Sequence, residues 1–227
     1  MREALRQLDA QGAADFEAHQ EERARREAES GRKLPGREPS PTGSKGKERL
    51  ANTTDPDSRM LRARNRFVQG YNAKAALSSD QVVVAAEVTN AANDATMLIP
   101  MVGASEANLA AAGATAPAVF AADTGYRNAE NLAMDKTAEP LVPADQHGRA
   151  DPAALRKEML TRLGTDTGRS LYAKRKVTTE PVFGNIKANL RHRRFSRRGL
   201  SAVQSEWRLI CSVHNPMKIQ RRRLAIG

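Results

Sequence analysis

The sequence predicts a mixed α/β domain that ends in a strongly basic helical segment. Three observations predict it: two β-rich runs follow each other between residues 67 and 89, an apolar helical period covers residues 200–214, and basic residues concentrate after residue 171. A chain of 227 residues is long enough for one sizeable domain with an appendage. A small scaffold held together by disulfides is therefore excluded.

Residue usage narrows the class of protein further. The one cysteine, Cys211, cannot form an internal disulfide, which is typical of a reducing compartment. No run approaches the roughly 20 apolar residues that cross a bilayer. The first 30 residues are rich in Glu and Arg, where a signal peptide needs an apolar core. The sequence predicts an intracellular, cytoplasmic protein.

Positive charge is concentrated near the carboxyl end. The net charge is +11, and residues 171–227 carry 14 basic and two acidic side chains, a local charge of +12. The rest of the chain is nearly neutral. Because a localised positive field attracts polyanions, nucleic acid is the predicted partner, ahead of acidic lipid or acidic protein.

The first half of the chain predicts a helix, a linker and a hairpin. Residues 1–30 hold good helix formers but few large apolar side chains, so most sides of that helix would be solvated. Residues 30–49 concentrate Gly, Pro, Ser and charge, as in a flexible linker or insertion. The runs 67–77 and 81–89 flank a Ser-Ser-Asp turn and predict a β-hairpin.

Shorter elements follow. Residues 90–102 predict a helix capped near Asn93, and residues 116–126 predict a short buried strand ending at Asp123. A short helix is expected over residues 127–134.

The carboxyl-terminal part predicts a loop and three helices. The loop covers residues 140–149, and the first helix covers residues 153–163. A second helix extends from Gly168 to Leu190 with a disturbance at Pro181. The third has the cleanest apolar period, which places these residues on one face: Leu200, Val203, Trp207, Ile210, Cys211 and His214.

Two acids stand where a site could form. Asp123 follows a strand, and strand ends are where α/β sheets build their sites. Glu180 shares a helical stripe with Gly184, Lys187 and Arg191, beside an apolar stripe that would dock the helix. Since proline is tolerated in the first turn of a helix, the residue after Glu180 predicts a helix start there, or a kink.

Such acids have a chemical and a structural interpretation. Phosphodiester cleavage needs carboxylates that hold divalent ions beside the attacking and leaving oxygens. The alternative is that Asp123 caps the next helix and that Glu180 favours a helix N-terminus electrostatically. Composition alone favours this alternative.

Other reactive residue types have simpler interpretations. Five arginines with Phe195 among them, over residues 191–198, favour phosphate contacts over a merely solvated loop. His214 and Cys211 predict core positions, because no partners stand at zinc or nucleophile spacing. Glu206 predicts an orienting, hydrogen-bonded residue, with a role as a catalytic acid as the alternative.

Several ordered phrases carry a family resemblance. They are NTTDPDSRML (52–61), GYNAKAAL (70–77), VVVAAEVTNAANDATMLIPMV (82–102), ADTGYRNAENL (122–132), YAKRKVTTEPVFGNIK (172–187), RRFSRRGL (193–200) and EWRLICSVHNPMKI (206–219). In this order they resemble bacterial insertion-sequence transposases of the DDE class, in the branch with a Tyr, Arg/Lys, Glu, Lys signature.

The resemblance implies an incomplete ribonuclease H-like fold, with a β-hairpin, a short catalytic strand and a basic helical end. It implies metal-dependent DNA cleavage and strand transfer, with magnesium as the expected ion. Asp123 matches the second acid and Glu180 the third, so both would be catalytic metal ligands. The implied DNA-binding residues are Tyr172, Arg175, Lys176, Lys187, Arg191, Arg193, Arg194, Arg197 and Arg198; Arg175 and Lys176 both remain candidates for the signature cation.

The sequence also departs from the family. The Asp-Gly-Thr-Lys-like phrase that carries the first acid is missing, so the chain is expected to be a carboxyl-terminal part, weak or inactive alone. Asp55 and Asp57 sit beside Pro56 in a predicted loop and are not assigned as substitutes. Pro216 is expected to end or kink the last helix near Asn215.

The expected organisation is an insertion-like segment at 1–50, a partial ribonuclease H-like domain at 51–219 and a basic, frayed tail at 220–227. The expected partners are the transposon ends and target DNA. A homodimer is compatible with this expectation. Neither a membrane nor a small-molecule substrate is expected, and the resemblance implies association with the nucleoid. The alternatives are a non-catalytic basic DNA-binding protein and a remnant with no function of its own.

Overall fold

The computed structural model describes residues 2–34, 52–63, 66–134, 138–143 and 153–226. Most of the expected linker and most of the expected loop at 140–149 lie outside these ranges. The chain divides into two compact units, Met1–Gly70 and Tyr71–Gly227. The helices are α1 (Arg2–Ser30), α2 (Leu98–Ala111), α3 (Ala129–Leu132), α4 (Ala153–Gly164), α5 (Asp166–Gly184) and α6 (Leu200–Ile226). The strands are β1 (Arg59–Ala63), β2 (Arg66–Gly70), β3 (Asn72–Leu77), β4 (Val83–Thr89), β5 (Val119–Ala121) and β6 (Glu139–Leu141).

The first unit contains the polar helix that composition predicts. In α1, Glu22 pairs with Arg25 at 2.6 Å and with Arg26 at 2.7 Å, at the three- and four-residue spacings that place side chains together. Arg23 also donates a hydrogen bond, at 2.7 Å, to the carbonyl of Leu34, which lies beyond the end of the helix. Ion pairs and this bond therefore support a helix that has few large apolar side chains.

The first unit also corrects the predicted hairpin. Strands β1 and β2 form an antiparallel pair in which Arg59 faces Gly70 and Ala63 faces Arg66. Residues 67–70 were expected to begin the first strand of the next hairpin, but they pair with β1. Tyr71 separates β2 from β3 in this β-rich run, a break that alternation of residue types does not reveal.

The predicted hairpin itself is confirmed over a shorter span. Strands β3 and β4 pair antiparallel, from Asn72 opposite Thr89 to Leu77 opposite Val83, with a register shift between Ala76 and Leu77. Helices α5 and α6 cover one face of the pair. Their joint core consists of Val83, Val88, Val182, Ile186, Val203, Trp207, Ile210 and Cys211.

A second core surrounds the short strand that carries Asp123. Strand β5 pairs in parallel with β6, so that Phe120 faces Pro140. The expected loop at 140–149 therefore begins with a strand. Leu98 and Val102 of α2 and Met159 of α4 are buried in this core. Helix α4 and the short helix α3 lie where the sequence predicts them. Helix α2 begins at Leu98, after a 3₁₀ turn at Ala95–Met97, and not at the predicted cap near Asn93; it extends past its predicted end, to Ala111.

Side chains of α6 cover the outer edge of β4. The Gln204 amide accepts from the N–H of Val88 at 2.6 Å and donates to the carbonyl of Ala86 at 2.8 Å. The Asn215 amide makes the equivalent pair of bonds with the backbone of Val83, both at 2.8 Å. These amides provide the hydrogen bonds that another strand would otherwise make.

Helix α5 does not begin near Glu180. It starts at Asp166, where the hydroxyl of Thr165 accepts from the N–H of Gly168 at 2.9 Å, and it continues through Pro181. A proline leaves the carbonyl four residues earlier without its helical donor. That carbonyl, of Val177, accepts from the side chain of Gln81 at 3.1 Å. A long-range bond thus offsets the cost of the proline, and the irregular turn comes later, as a π-helix over Asn185–Asn189.

Helix α6 likewise continues through Pro216 to Ile226, so the predicted end near Asn215 is wrong, and residues 220–226 of the expected basic tail are helical. Asn215 is anchored to β4, and the face of α6 that holds Val203 and Trp207 is buried. Packing of this face therefore outweighs the local cost of proline.

Candidate functional site

Asp123 lies at the carboxyl end of β5. The preceding residue, Ala122, is buried in the second core, which fixes the point where the chain emerges. Asp123 is extended, and one carboxylate oxygen accepts from the N–H of Thr124 at 2.6 Å, capping a 3₁₀ turn at Thr124–Tyr126. Asp123 therefore caps this turn, whereas α3, the next predicted helix, is capped by Asn128. The side chain remains 60 % exposed, so the cap leaves the carboxylate accessible.

Arg175 of α5 connects this strand end to the helix. Its guanidinium lies 3.5 Å from the second carboxylate oxygen of Asp123 and 5.1 Å from the ring centre of Tyr172. Lys176 instead approaches Glu180, at 4.0 Å. The geometry therefore separates the two candidate signature cations, since Arg175 contacts the predicted second acid and Lys176 the predicted third.

Glu180 is an exposed residue of α5 that follows Arg175, the residue in contact with Asp123, along the helix. It lies five residues after Arg175, which corresponds to about 7.5 Å along a helix axis and about 140° around it, so Glu180 does not share the face of α5 that contacts Asp123. Its side chain is 69 % exposed, whereas Val182 is buried in the core below. Lys187, in the π-helix, lies 5.7 Å from the ring centre of Phe183. The helix thus presents an acid and a cation outward while its apolar side docks.

The donor chemistry suits a hard divalent cation, but the number of donors is small. Asp123 and Glu180 offer carboxylate oxygens, the ligands that Mg²⁺ prefers. Within the described ranges, no group of three or more His, Cys, Asp or Glu side chains is arranged to hold a metal ion. Two exposed carboxylates would hold an ion weakly.

A second carboxylate lies beside the turn that follows Asp123, and the sequence reasoning missed it. Asp94 accepts from the Asn72 amide at 2.8 Å and forms an ion pair with Lys74. A Cβ atom added at Gly125 would be 3.3 Å from the Asp94 carboxylate, so glycine allows this close approach. Lys74 is buried, and its ammonium lies 5.2 Å from the ring centre of Tyr126. This group links β3 to the turn after Asp123.

The same arrangement affects Tyr126. Burial raises the pKa of its phenol, and the carboxylates of Asp94 and Asp123 raise it further. The phenol is therefore neutral at physiological pH and cannot act there as a phenolate base.

One sequence signal could have revealed this group. Asn72 and Lys74 are two residues apart in a strand, so they share one face. A lysine on a face that also contributes to the core requires an acidic partner. That requirement points to a nearby acid, though not to Asp94 in particular.

A basic loop over residues 191–198, the arginine loop, follows the π-helix. Glu206 of α6 accepts from the N–H groups of Ser196, at 2.8 Å, and Arg197, at 2.9 Å, and from the Ser196 hydroxyl, at 2.8 Å. Although burial acts to raise the pKa of Glu206, these bonds outweigh it and the pKa is lowered. Glu206 therefore has the orienting role expected for it, and the segment that it orients is the arginine loop.

The ring within this loop packs inward and the charges face outward. Phe195 meets Trp207 edge to face, with ring centres 6.2 Å apart, so the ring serves packing. The five arginines of the loop are exposed and form no ion pair with any described residue: Arg191, Arg193, Arg194, Arg197 and Arg198. Unneutralised charge held on an anchored loop is suited to contact a polyanion.

His214 and Cys211 occupy the core positions that were predicted for them. The imidazole Nδ1 lies 3.1 Å from the Asn185 amide nitrogen, and Nε2 donates to the Gln81 carbonyl at 3.1 Å. Burial raises the pKa of the Cys211 thiol to about 12, so the thiol stays protonated and unreactive.

Comparison with known proteins gives one match. Residues 147–220 match the family model of the transposase DDE domain. The matched stretch includes α4, α5, the arginine loop and most of α6, and over this part the chain is similar to DDE transposases. The mixed α/β fold is consistent with a ribonuclease H-like domain. No match was found among curated proteins or among solved structures. In the described part of the chain, every helix is too short or too polar to span a membrane.

Proposed function

We propose that this chain, a third of which matches the transposase DDE domain, takes part in DNA transposition as a member of the branch with the Tyr, Arg/Lys, Glu, Lys signature. The proposed chemistry is metal-dependent cleavage of DNA followed by strand transfer. Asp123 and Glu180 are the proposed metal ligands. The proposed ion is magnesium.

One observation carries this proposal: the contact between Arg175 and Asp123. It joins the end of β5 to α5, the helix in which Glu180 also lies. Two carboxylates far apart in sequence are thereby placed on adjoining elements of one unit. The loop of exposed arginines follows the same helix.

Each residue then has a chemical task. A bound divalent ion supplies the charge that stabilises the attacking and leaving oxygens. Asp123 and Glu180 supply oxygen ligands, and Arg175 orients the Asp123 carboxylate while stacking on Tyr172. Lys187 and the arginine loop hold phosphates of the DNA. Because the described residues offer few ligands, we expect the chain alone to cleave slowly.

Nicking of a supercoiled plasmid tests the enzyme. Without metal, no nicks are expected; with magnesium or manganese, nicks accumulate slowly. Asp123→Asn and Glu180→Gln each lower the rate at least tenfold, because losing a ligand costs at least as much as losing its support. Glu158→Gln, at an exposed acid that pairs with Arg162 in α4, is the matched control and retains the rate. Equal rates in all four proteins would contradict the metal site.

A second function is favoured by one observation, the anchoring of the arginine loop by Glu206. An anchored basic loop can bind DNA without cleaving it. In that case Asp123→Asn and Glu180→Gln leave DNA affinity unchanged, and no nicks form with any metal. Fluorescence anisotropy with a labelled duplex, run beside the nicking assay, separates the two functions.

A further inference from the structure

We propose that the β1–β2 hairpin of the first unit lies in the major groove of duplex DNA and reads bases there, with Arg62 on a guanine and Phe67 on a nearby thymine. The residues of this hairpin take no part in the proposed metal site. The proposal rests on the proposed function only in taking DNA as the partner. The groove and the bases follow from the hairpin itself.

The pairing of β1 with β2 places four side chains on one face of the hairpin. Arg62 lies opposite Phe67, and Met60 lies opposite Gln69. Directly opposite residues of an antiparallel pair share a face, as do residues two apart in one strand. All four side chains are exposed. The hairpin therefore presents a face of mixed apolar, amide and cationic character, the reading face.

Large apolar side chains of the reading face have no cover in the described part of the chain. Phe67 is 67 % exposed and Met60 is 56 % exposed. A hairpin of two strands is only marginally stable alone, and large apolar side chains exposed together mark contact surfaces. We infer that the reading face has a binding partner.

The charge of the hairpin favours a polyanion as that partner. Residues 59–66 include four arginines and no acid. Arg62 and Arg66 are exposed and form no ion pair with a described residue. A protein that covered these guanidinium groups would have to desolvate them, whereas DNA phosphates neutralise them and release counterions. Duplex DNA is therefore the partner to which the hairpin is suited.

The base of the hairpin is fixed by hydrogen bonds. Ser58 is buried, and its hydroxyl donates to the carbonyl of Asp55 at 2.7 Å and accepts from the Gln69 amide at 2.8 Å. The guanidinium of Arg59 donates to the carbonyl of Pro56 at 2.6 Å. Arg59 thus serves the structure. Because the base is fixed, binding orders little additional backbone there.

The dimensions of a two-stranded hairpin match the major groove. Its strands lie about 4.8 Å apart, and the major groove, about 12 Å wide, admits such a ribbon, whereas the minor groove is about 6 Å wide. In the major groove, arginine donates to O6 and N7 of guanine, and phenylalanine contacts the methyl group of thymine. Opposite residues have Cβ atoms about 5 Å apart, so Arg62 and Phe67 reach bases within about two base pairs of each other.

Arg66 has a different task from Arg62. It directly precedes Phe67 in β2, so the two side chains point to opposite faces of the hairpin. When the reading face lies on the base edges, Arg66 is on the side away from them. We expect Arg66 to contact phosphates, which adds affinity without base preference.

The test is a selection of random DNA duplexes by the full chain in EDTA, which prevents cleavage. The selected duplexes should share a guanine and a thymine within two base pairs. Deoxyuridine in place of that thymidine removes one methyl group and should weaken binding about threefold. Replacing the guanine by 7-deazaguanine removes the N7 acceptor and should weaken binding about tenfold. Fluorescence anisotropy measures both.

Variants of the reading face should change the preference. Arg62→Ala should weaken binding of the selected duplex about tenfold and abolish the effect of 7-deazaguanine. Phe67→Ala should weaken binding about threefold and abolish the effect of deoxyuridine. Circular dichroism checks that each variant is folded.

Two further variants are the controls. Arg66→Ala should weaken binding of every duplex alike and lower the salt slope by about 0.9, with the base preference retained. Leu209→Ala, at an apolar residue of α6 that is 64 % exposed, should change neither affinity nor preference. This control separates the reading face from exposed apolar surface in general.

Three results would overturn the proposal. They are a selected pool without a shared sequence, an unchanged preference in both Arg62→Ala and Phe67→Ala, and slower hydrogen exchange in β1 and β2 as protein concentration rises without DNA. The last would show that a second copy covers the hairpin. A base preference together with a failed nicking assay would refute the proposed enzyme and support the hairpin contact, whereas nicking without a preference would refute the hairpin contact alone.

Discussion

At the residue scale, Lys74 and Asp94 show how a buried charge is tolerated. The Lys74 side chain is 8 % exposed, and its ammonium is matched by a carboxylate that also receives the Asn72 amide. Desolvating the ammonium costs several kcal/mol unless such a partner is present. The pair lies against the turn that begins at Asp123, so we infer that it also holds that carboxylate in place.

Removing the acid should cost more than removing the cation. Asp94→Asn leaves a buried ammonium without its counter-ion, and we expect a loss of about 3 kcal/mol in the free energy of unfolding. Lys74→Met leaves an accessible carboxylate that keeps its Asn72 bond, and should cost about 1 to 2 kcal/mol. Urea denaturation measures both.

The control is Arg208→Gln, which breaks an exposed pair with Glu87 at 2.8 Å and should cost under about 0.5 kcal/mol. If Asp94→Asn costs no more than this control, the ammonium is solvated rather than buried.

At the scale of an element, Glu206 organises the arginine loop. Its pKa is lowered in the folded protein, so the ionised form stabilises the loop. This stabilisation is present above the unfolded pKa of 4.5 and is lost as pH falls through the lower, folded value.

The loop should therefore loosen only in acid, or on substitution. Glu206→Gln offers one acceptor oxygen in place of two, so we expect faster hydrogen exchange at the Ser196 and Arg197 amides at neutral pH. DNA affinity should fall severalfold, because the arginines lose their fixed positions. Glu158→Gln serves as the control, and unchanged exchange in Glu206→Gln would refute the anchoring role.

The connection between α4 and α5 depends on a close approach at Gly168. A Cβ atom there would lie 2.0 Å from the carbonyl oxygen of Arg162. Gly168→Ala must displace backbone, and we expect it to destabilise the fold by about 2 kcal/mol. Gly184→Ala is the matched control, since a Cβ atom there meets nothing within 4 Å and should be neutral or stabilising. Thermal unfolding of both variants checks the difference.

Elements were predictable from sequence where the local pattern and the packing agree. The faces of α6 and α4, the β3–β4 hairpin and the strand before Asp123 all have clear periods or turn residues. The prolines mislead because their cost is offset at a distance: Gln81 of the β3–β4 turn provides a donor for the carbonyl that Pro181 leaves unpaired. A bond across 96 positions leaves no local trace in the sequence.

At the scale of the whole molecule, charge determines how the chain should meet DNA. Each arginine that neutralises a phosphate releases counterions, so the logarithm of affinity falls with the logarithm of salt concentration. Alanine at Arg193, Arg194, Arg197 and Arg198 together should lower the slope of that plot by about 3 to 4, at about 0.9 per contact. Anisotropy titrations from low to high salt measure it.

The matched control removes two arginines of the first unit, Arg25 and Arg26. Both are paired with Glu22 within α1, so their replacement by alanine should leave the slope unchanged. An equal change in both sets would mean that overall charge, and not the loop, governs binding.

The candidate site was only partly predictable from the sequence, because contacts between residues far apart in the chain leave no local trace in it. Residue types and strand ends indicate Asp123, and the signature phrase indicates Glu180. The choice of Arg175 over Lys176 as the partner of Asp123 depends on which side of α5 faces β5, which only the packing decides. The metal-ligand roles of both acids stay predictions.

The amides that α6 places along β4 have a consequence for solubility. A bare strand at that margin could recruit the same strand from another molecule and propagate a fibril. Gln204 and Asn215 bond to backbone groups along that edge, so stacking of molecules through β4 is blocked while α6 stays docked. Conditions or proteolytic cuts that detach α6 should therefore expose this edge of β4 and promote aggregation through it.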